Sequence, residues 1–205
     1  MKSGNLPKLR IVVLAAGFST RLGEPKALSR VRGVTLLKRT IRVLGAFRAG
    51  ADIIVVTPPR NARYAATLRG PSRGVVLVAN PQRAKGLASS VRAGLTRSRC
   101  SAGVLLLPVD LADLERRDIA RLIARWRGAR RRVVARGLEG RAATPLILPR
   151  WLYPRALESA GDSGLRGLVR RLPHSLLSLV ELPSAAFDVD TAAELARARR
   201  RARPV

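Results

Sequence analysis

Apolar residues follow two rhythms along this chain. Unbroken runs at Ile11-Val12-Val13-Leu14, Ile53-Ile54-Val55-Val56, Val75-Val76-Leu77-Val78 and Val104-Leu105-Leu106-Leu107 have the length and aliphatic content of buried strands. Between them, apolar positions recur at helical spacing. Leu36, Leu37, Ile41, Leu44 and Phe47 predict a helix over 35–47, with Gly50 as its stop. A short helix is predicted through Tyr64 and Leu68, and another over 86–95. Ile119, Leu122, Ile123 and Trp126 predict a helix over 114–126. The second half of the chain predicts strands over 130–135, 144–148, 175–182 and 187–189, and helices over 151–159, 163–172 and 191–203. Strands alternating with helices give a three-layer α/β/α sandwich around a mainly parallel sheet. Ligands of such sheets bind beyond the carboxyl ends of the strands. There is no internal repeat, and no stretch reads as a linker. One domain over 1–205 is expected.

Composition changes this picture only through charge. Lys plus Arg number 40 against 13 Asp plus Glu, a formal net charge of +27. A nucleic-acid binder would want its cations clustered and interleaved with aromatics. Here aromatics are 3% and the cations are nearly all arginines spread along the chain, as a GC-rich coding sequence would give. No specific nucleic-acid partner is expected. The field still attracts anionic nucleotides, and it favours non-specific nucleic-acid binding at low salt. Cys100 is the single cysteine, so no internal disulfide forms and a reducing cytoplasm fits. Lys2, Lys8 and Arg10 before an apolar run imitate a signal peptide, but the run breaks at once into Arg21-Leu22-Gly23-Glu24-Pro25-Lys26. No run approaches the ~20 apolar residues of a membrane span. A monomer is expected.

The chemistry concentrates in residues 11–28. The first strand ends in Ala15-Ala16-Gly17, small residues that allow close approach of a ligand to the backbone. A polar loop with Ser19, Arg21, Gly23, Pro25 and Lys26 follows. Backbone N–H groups in such a loop can cradle phosphates while the two cations neutralise them. No Gly-Lys-Ser/Thr closes it, so it is not the common P-loop.

The order Leu-Ala-Ala-Gly-x-Ser-x-Arg-x-Gly-x-Pro-Lys-x-Leu resembles the signature loop of the nucleotidyltransferase superfamily, in its molybdenum cofactor cytidylyltransferase-like (MobA-like) branch. Leu22 stands where methionine is commoner in that family. The resemblance implies a Rossmann-like nucleotide-diphospho-sugar transferase fold. It also implies Mg²⁺-dependent transfer of a nucleotide from CTP to the phosphate of molybdopterin or molybdenum cofactor. Residues 1–135 would then bind nucleotide and 136–205 would build the acceptor side and supply one metal aspartate. A molybdoenzyme would receive the product. Guanylyl enzymes of the molybdopterin type more often show Ala-Gly-Gly, so Ala15-Ala16-Gly17 is nearer the cytidylyl branch. Guanylyl transfer to molybdopterin or phospholactate, and sugar-phosphate activation, stay open.

The remaining motifs extend the resemblance. Leu14, Ala15, Ala16, Gly17, Ser19, Arg21 and Lys26 would bind the nucleotide, with Arg21, Lys26 and Asp110 catalytic. Asp110 closes a leucine strand, where a carboxylate needs a cation, and the superfamily places a metal aspartate there. Phe187-Asp188-Val189-Asp190-Thr191 is similar to the family's Asp-x-Asp-Thr segment, and Asp190 is the matching second metal ligand. The family continues with Pro-Glu-Asp, this chain with Ala192-Ala193-Glu194. Simple helix capping by both aspartates is the competing reading. Two such carboxylates need a cation between them, either Mg²⁺ or a guanidinium. Asn80, Gly86, Leu87 and Ser90 resemble the family's base-side segment. Gly161-Asp162-Ser163-Gly164-Leu165-Arg166 resembles its Gly-Asp-x-Gly-Ala-Arg segment, with Asp162, Gly164 and Arg166 toward the acceptor. Gly140, Thr144 and Pro145 match only loosely. His174, the single histidine, has no histidine or cysteine partner and is not read as a ligand.

Overall fold

The computed structural model describes residues 9–50, 53–69, 74–159, 164–185 and 187–201. Its strands are β1 (Leu9–Leu14), β2 (Arg30–Val31), β3 (Val34–Thr35), β4 (Ile53–Thr57), β5 (Val75–Ala79), β6 (Gly103–Pro108), β7 (Val133–Leu138), β8 (Arg141–Pro149) and β9 (Leu177–Val180). Its α-helices are α1 (Leu36–Leu44), α2 (Ala62–Thr67), α3 (Leu87–Arg97), α4 (Arg116–Gly128), α5 (Tyr153–Glu158), α6 (Gly164–Arg170) and α7 (Ala192–Arg201). Seven strands form one sheet in the order β5-β4-β1-β6-β8-β7-β9. The neighbours are parallel except at β8, which runs antiparallel to both β6 and β7. The mainly parallel α/β sandwich expected from the sequence is therefore the observed architecture.

The apolar runs are continuous because both faces of the central strands are covered. Ile11, Val13, Val55, Leu105 and Leu107 pack on one side, with Leu37, Ile41, Ile119 and Trp126 of α1 and α4. Val12, Leu14, Ile54, Val56, Val104 and Leu106 pack on the other, with Val91 and Leu95 of α3 and Leu165 and Leu168 of α6. Alternate side chains of a strand point to opposite faces, so each run feeds two cores. A smaller cluster of Val31, Leu36, Ala112, Val189, Leu195 and Ala198 joins β2, α1 and α7 to the loops after β6 and before α7.

Several details differ from the pattern-based expectation, among them the bounds of β8 and β9. The strand expected from 130 begins at Val133 and runs to Leu138. The helix expected to stop at Gly50 is α-helical only to Leu44 and continues as a 3₁₀ stretch over Gly45–Gly50. The expected strand 187–189 is a single antiparallel bridge between Leu111 and Asp188. The β2–β3 ribbon was not expected. Its two turn residues, Arg32 and Gly33, have φ of 49° and 76°, the left-handed pair that a tight hairpin requires. Arginine is an unusual choice there, which hides the turn from composition. Among the described residues no helix is long and apolar enough to cross a membrane.

Register aligns the strand ends. Leu14 of β1 stands opposite Val56 of β4 and Pro108 of β6, so the loops after these strands open at one edge. Helix α3 lies close on this part of the sheet, with Gly94 against Val12. A Cβ on Gly94 would overlap Cγ1 of the fully buried Val12. Gly94→Ala is expected to cost about 1–3 kcal/mol through overpacking, despite alanine's better helix propensity. Urea denaturation measures this; an unchanged midpoint would mean that α3 stands off the sheet.

Candidate active site

The carboxyl edge of β1 and β6 opens into a cavity of about 410 Å³. Leu14, Ala15, Ala16, Gly17, Ser19, Arg21 and Lys26 line it, with Gly86, Leu87, Ser90, Asp110 and Asp190. Thus every residue expected from the signature loop, and both expected metal aspartates, meet at one cavity. The loop is shaped locally. Ser19 sits at φ 57°, and its carbonyl accepts from the N–H groups of Leu22 and Gly23 at 3.0 and 3.2 Å. Its hydroxyl accepts from the Lys26 N–H at 3.0 Å. Pro25 then precedes a 3₁₀ turn over Lys26–Leu28 that fixes where the Lys26 side chain starts.

Lys26 is the centre of the cavity's charge. Its Nζ donates to Asp110 Oδ2 at 3.1 Å and also to Asp190 Oδ1. Arg21 Nη2 donates to Asp190 Oδ2 at 2.7 Å. The cation between the two carboxylates is thus an ammonium, neither of the two candidates considered from the sequence. Burial alone would lower the Lys26 pKa, but the Asp110 and Asp190 carboxylates outweigh it and the net shift is upward. The hydrogen bond from Lys26 pulls the Asp190 pKa down, with Arg21 adding to it against the cost of desolvation. Lys26 therefore remains charged at neutral pH.

Backbone contacts bring the two aspartates together across the chain. Val189 N donates to the Asp110 carbonyl at 3.0 Å, next to the Leu111–Asp188 bridge. Val189 is fully buried while Asp188 and Asp190 stay partly open, as alternation in an extended stretch requires. Neither aspartate caps the following helix. That work falls to Thr191 and Glu194. Glu194 Oε2 accepts from the N–H groups of Asp190 and Thr191 at 2.8 Å each. Thr191 Oγ1 accepts from Glu194 N at 3.2 Å. This is a capping box, and its Thr-x-x-Glu spacing stood in the sequence. Asp188 instead pairs with Arg136 Nη1 at 3.6 Å. Arg136 is buried on β7 and also donates to the Ala185 carbonyl, tying the aspartate segment to the sheet. Burial, first of all, and then the Asp110 charge push the Asp188 pKa up, with Arg136 opposing.

Asn80 does not line the cavity. It is buried, and its Nδ2 donates to Ser89 Oγ at 2.8 Å and Ser90 Oγ at 3.0 Å. Its Oδ1 accepts from Gln82 N at 3.0 Å. It thus fixes the turn that delivers Gly86, whose φ of 81° turns the chain into α3. Gly164 lies on a separate cleft beside α5 and α6, packed near Ala88 at the start of α3. Arg166 is exposed and lines neither cavity, and Asp162 falls outside the described residues. Sequence reasoning missed Phe18 and Arg83, which line the mouth. The Arg83 guanidinium lies 3.9 Å above the Phe18 ring centre. These two residues are 65 positions apart, and no local pattern announces the pair.

Among the described residues no group of three or more His, Cys, Asp and Glu side chains is arranged to hold a metal ion. The pair Asp110 and Asp190 still suits Mg²⁺. That ion commonly takes one or two carboxylates and completes its shell with phosphate oxygens and water.

The model of the MobA-like NTP transferase domain matches residues 11–176. The chain is 31% identical over 196 residues to a probable molybdenum cofactor guanylyltransferase of Rhodopirellula baltica, covering 92% of this chain and 90% of that protein. It is 42% identical over 86 residues to a bifunctional IPC transferase and DIPP synthase of Rubrobacter xylanophilus, spanning 40% of this chain but only 20% of that protein. Among solved structures, Rv0371c from Mycobacterium tuberculosis H37Rv superposes with a TM-score of 0.74 at 28% identity, covering 95% of this chain and 98% of that one. A complex of Rv0371C with manganese superposes at 0.71 and 26% identity, with the same coverage.

The shared lysine makes a stability prediction. In Asp110→Asn without metal, Lys26 keeps Asp190 as its partner, and the group is partly open to water. The expected change is within about 1 kcal/mol. A metal-free denaturation curve beside wild type tests this. A loss of several kcal/mol would mean that the Asp110–Lys26 contact holds the fold rather than the site.

Proposed function

The chain belongs to the MobA-like NTP transferase family, and from that premise we propose that it transfers CMP from CTP to the phosphate of molybdopterin or molybdenum cofactor. The observation that carries this reading is the Lys26 ammonium shared by Asp110 and Asp190 in a cavity lined by the signature loop. An oxygen of the acceptor phosphate attacks the α-phosphorus of the nucleotide, the α–β bond breaks, and pyrophosphate leaves. Both reactants are anions, so the site must neutralise charge before they meet. Lys26 and Arg21 supply fixed positive charge beside the α- and leaving phosphates, where it counts most in the transition state. The acceptor phosphate is already ionised, so no general base is needed, and catalysis is positioning plus electrostatics.

Asp110 and Asp190 would hold Mg²⁺, which would supply neutralisation of phosphate charge at this point of the cavity. The manganese complex of the similar Rv0371C supports a divalent cation in this family. On the base side, Gly86, Leu87 and Ser90 meet the nucleotide, and Asn80 positions them from beneath. On the acceptor side we assign Asp162, Gly164 and Arg166. The packing of Gly164 near Ala88, beside the cavity residue Leu87, supports that assignment. Ala16 lines the cavity and is almost fully buried. Its methyl group reduces the room for a purine, which supports CTP over GTP. Guanylyl transfer is the second reading, favoured by the similarity to the probable molybdenum cofactor guanylyltransferase of Rhodopirellula baltica.

A pyrophosphate-release screen of the four nucleoside triphosphates, with molybdopterin and a few phosphorylated acceptors, tests the whole reading. Two outcomes are specific. Lys26→Ala should melt cooperatively yet lose roughly a hundredfold or more in turnover, about 3 kcal/mol of transition-state stabilisation. Full activity in a folded Lys26→Ala protein would remove Lys26 from the chemistry. In direct competition, CTP should be consumed ahead of GTP; a preference for GTP would transfer the assignment to guanylyl transfer and leave the fold untouched.

A further inference from the structure

A second cavity, of about 900 Å³, shares no lining residue with the first. Six arginines line it, Arg39 and Arg42 from α1, Arg116 and Arg117 from the start of α4, and Arg197 and Arg201 from α7, beside apolar residues such as Val43, Leu114 and Phe187. Against these six stand two carboxylates, Asp113 and Glu115, an excess of four positive charges. The high arginine content of the chain does not by itself account for this. The nucleotide cavity sets Arg21, Lys26 and Arg83 against Asp110 and Asp190, an excess of one. The cleft beside α5 and α6 sets Arg155 and Arg171 against Glu158, again an excess of one.

Four of the six guanidinium groups have contacts that hold them. Arg197 and Arg201 lie over the Phe187 ring, 5.3 and 5.5 Å from its centre. Arg117 is fixed by Glu115 at 2.7 Å. Arg39 is only 6% exposed and donates to the Ala112 carbonyl at 3.4 Å. Burial, and then the Arg32 and Arg42 charges, lower its pKa against the pull of Asp113. Like charges gathered around one concave, partly desolvated space raise its potential and attract anions. Planar guanidinium forks match phosphate oxygens in pairs, and their fixed orientation reduces the entropy lost on binding. A volume of about 900 Å³ lies within the range of small-molecule sites, roughly 300–1,000 Å³.

We propose that this second cavity is a binding site for a small, multiply phosphorylated anion, separate from the nucleotide cavity. The proposal does not depend on which nucleotide or acceptor the first cavity takes. Calorimetric titration with inorganic tripolyphosphate at physiological ionic strength tests it. Wild type should bind in two classes of site. A variant carrying Arg116→Gln, Arg197→Gln and Arg201→Gln, all exposed on the cavity wall, should lose one class and keep pyrophosphate release within about twofold of wild type. A control carrying Arg125→Gln, Arg127→Gln and Arg131→Gln removes the same charge from exposed positions outside the cavity and should keep both classes. If the triple cavity variant does not fold, Arg201→Gln alone should weaken one class by about tenfold, the worth of a charge-assisted contact. Retention by the triple cavity variant of every class that wild type shows would overturn the proposal. So would equal loss in the cavity and control variants, which would show the general field of a cationic chain.

Discussion

The site depends on one ammonium group. Lys26 lies between Asp110 and Asp190, two carboxylates 80 positions apart in sequence that would repel each other if left alone. Its charge is secured by its partners, since the carboxylates outweigh the desolvation that would otherwise lower its pKa. Arg21 adds a second cation on Asp190. The result is a compact set of alternating charges at the mouth of a parallel sheet. A phosphate chain or a divalent cation entering there would compete with these contacts and would not have to create a charged site from nothing.

That arrangement is inherited from the sheet. β1 and β6 end level with each other, so the signature loop and the Asp110 turn leave from neighbouring points. The Asp190 segment reaches the same place through the Leu111–Asp188 bridge and the Val189-to-Asp110 hydrogen bond. Arg136, far back on β7, anchors this segment through Asp188 and the Ala185 carbonyl. The capping box of Thr191 and Glu194 relieves Asp190 of any duty to the helix, so its carboxylate is available to Lys26 and Arg21. The departure from the family's usual residues after Asp190 leaves this cap intact, because Glu194 stands at the position that closes it.

β8 shows where pattern reading stops short of topology. The strands around it were expected from their aliphatic content, but their direction was not assigned. Only Glu139 and Gly140 separate Leu138 from Arg141, and both have positive φ, 50° and 72°. A two-residue connection can make only an antiparallel pair, because a parallel return needs a crossover of a dozen residues or more. The direction of β8 was therefore present in the loop length. The β2–β3 ribbon was less legible, since its turn uses arginine where asparagine or glycine is usual.

The sequence by itself determined the alternation of strands and helices, because aliphatic runs and helical spacing are local consequences of burial. It also determined the loop that lines the cavity around Lys26, because that loop is a contiguous stretch with fixed spacing. Tertiary structure alone decided that Lys26 is the cation shared by Asp110 and Asp190, that Arg136 braces the second of their loops, and that Phe18 carries Arg83. It alone gathered arginines from α1, α4 and α7 around one cavity. Each of these contacts joins residues from separate elements, and their distances are set by sheet register and helix packing, which no local spacing encodes.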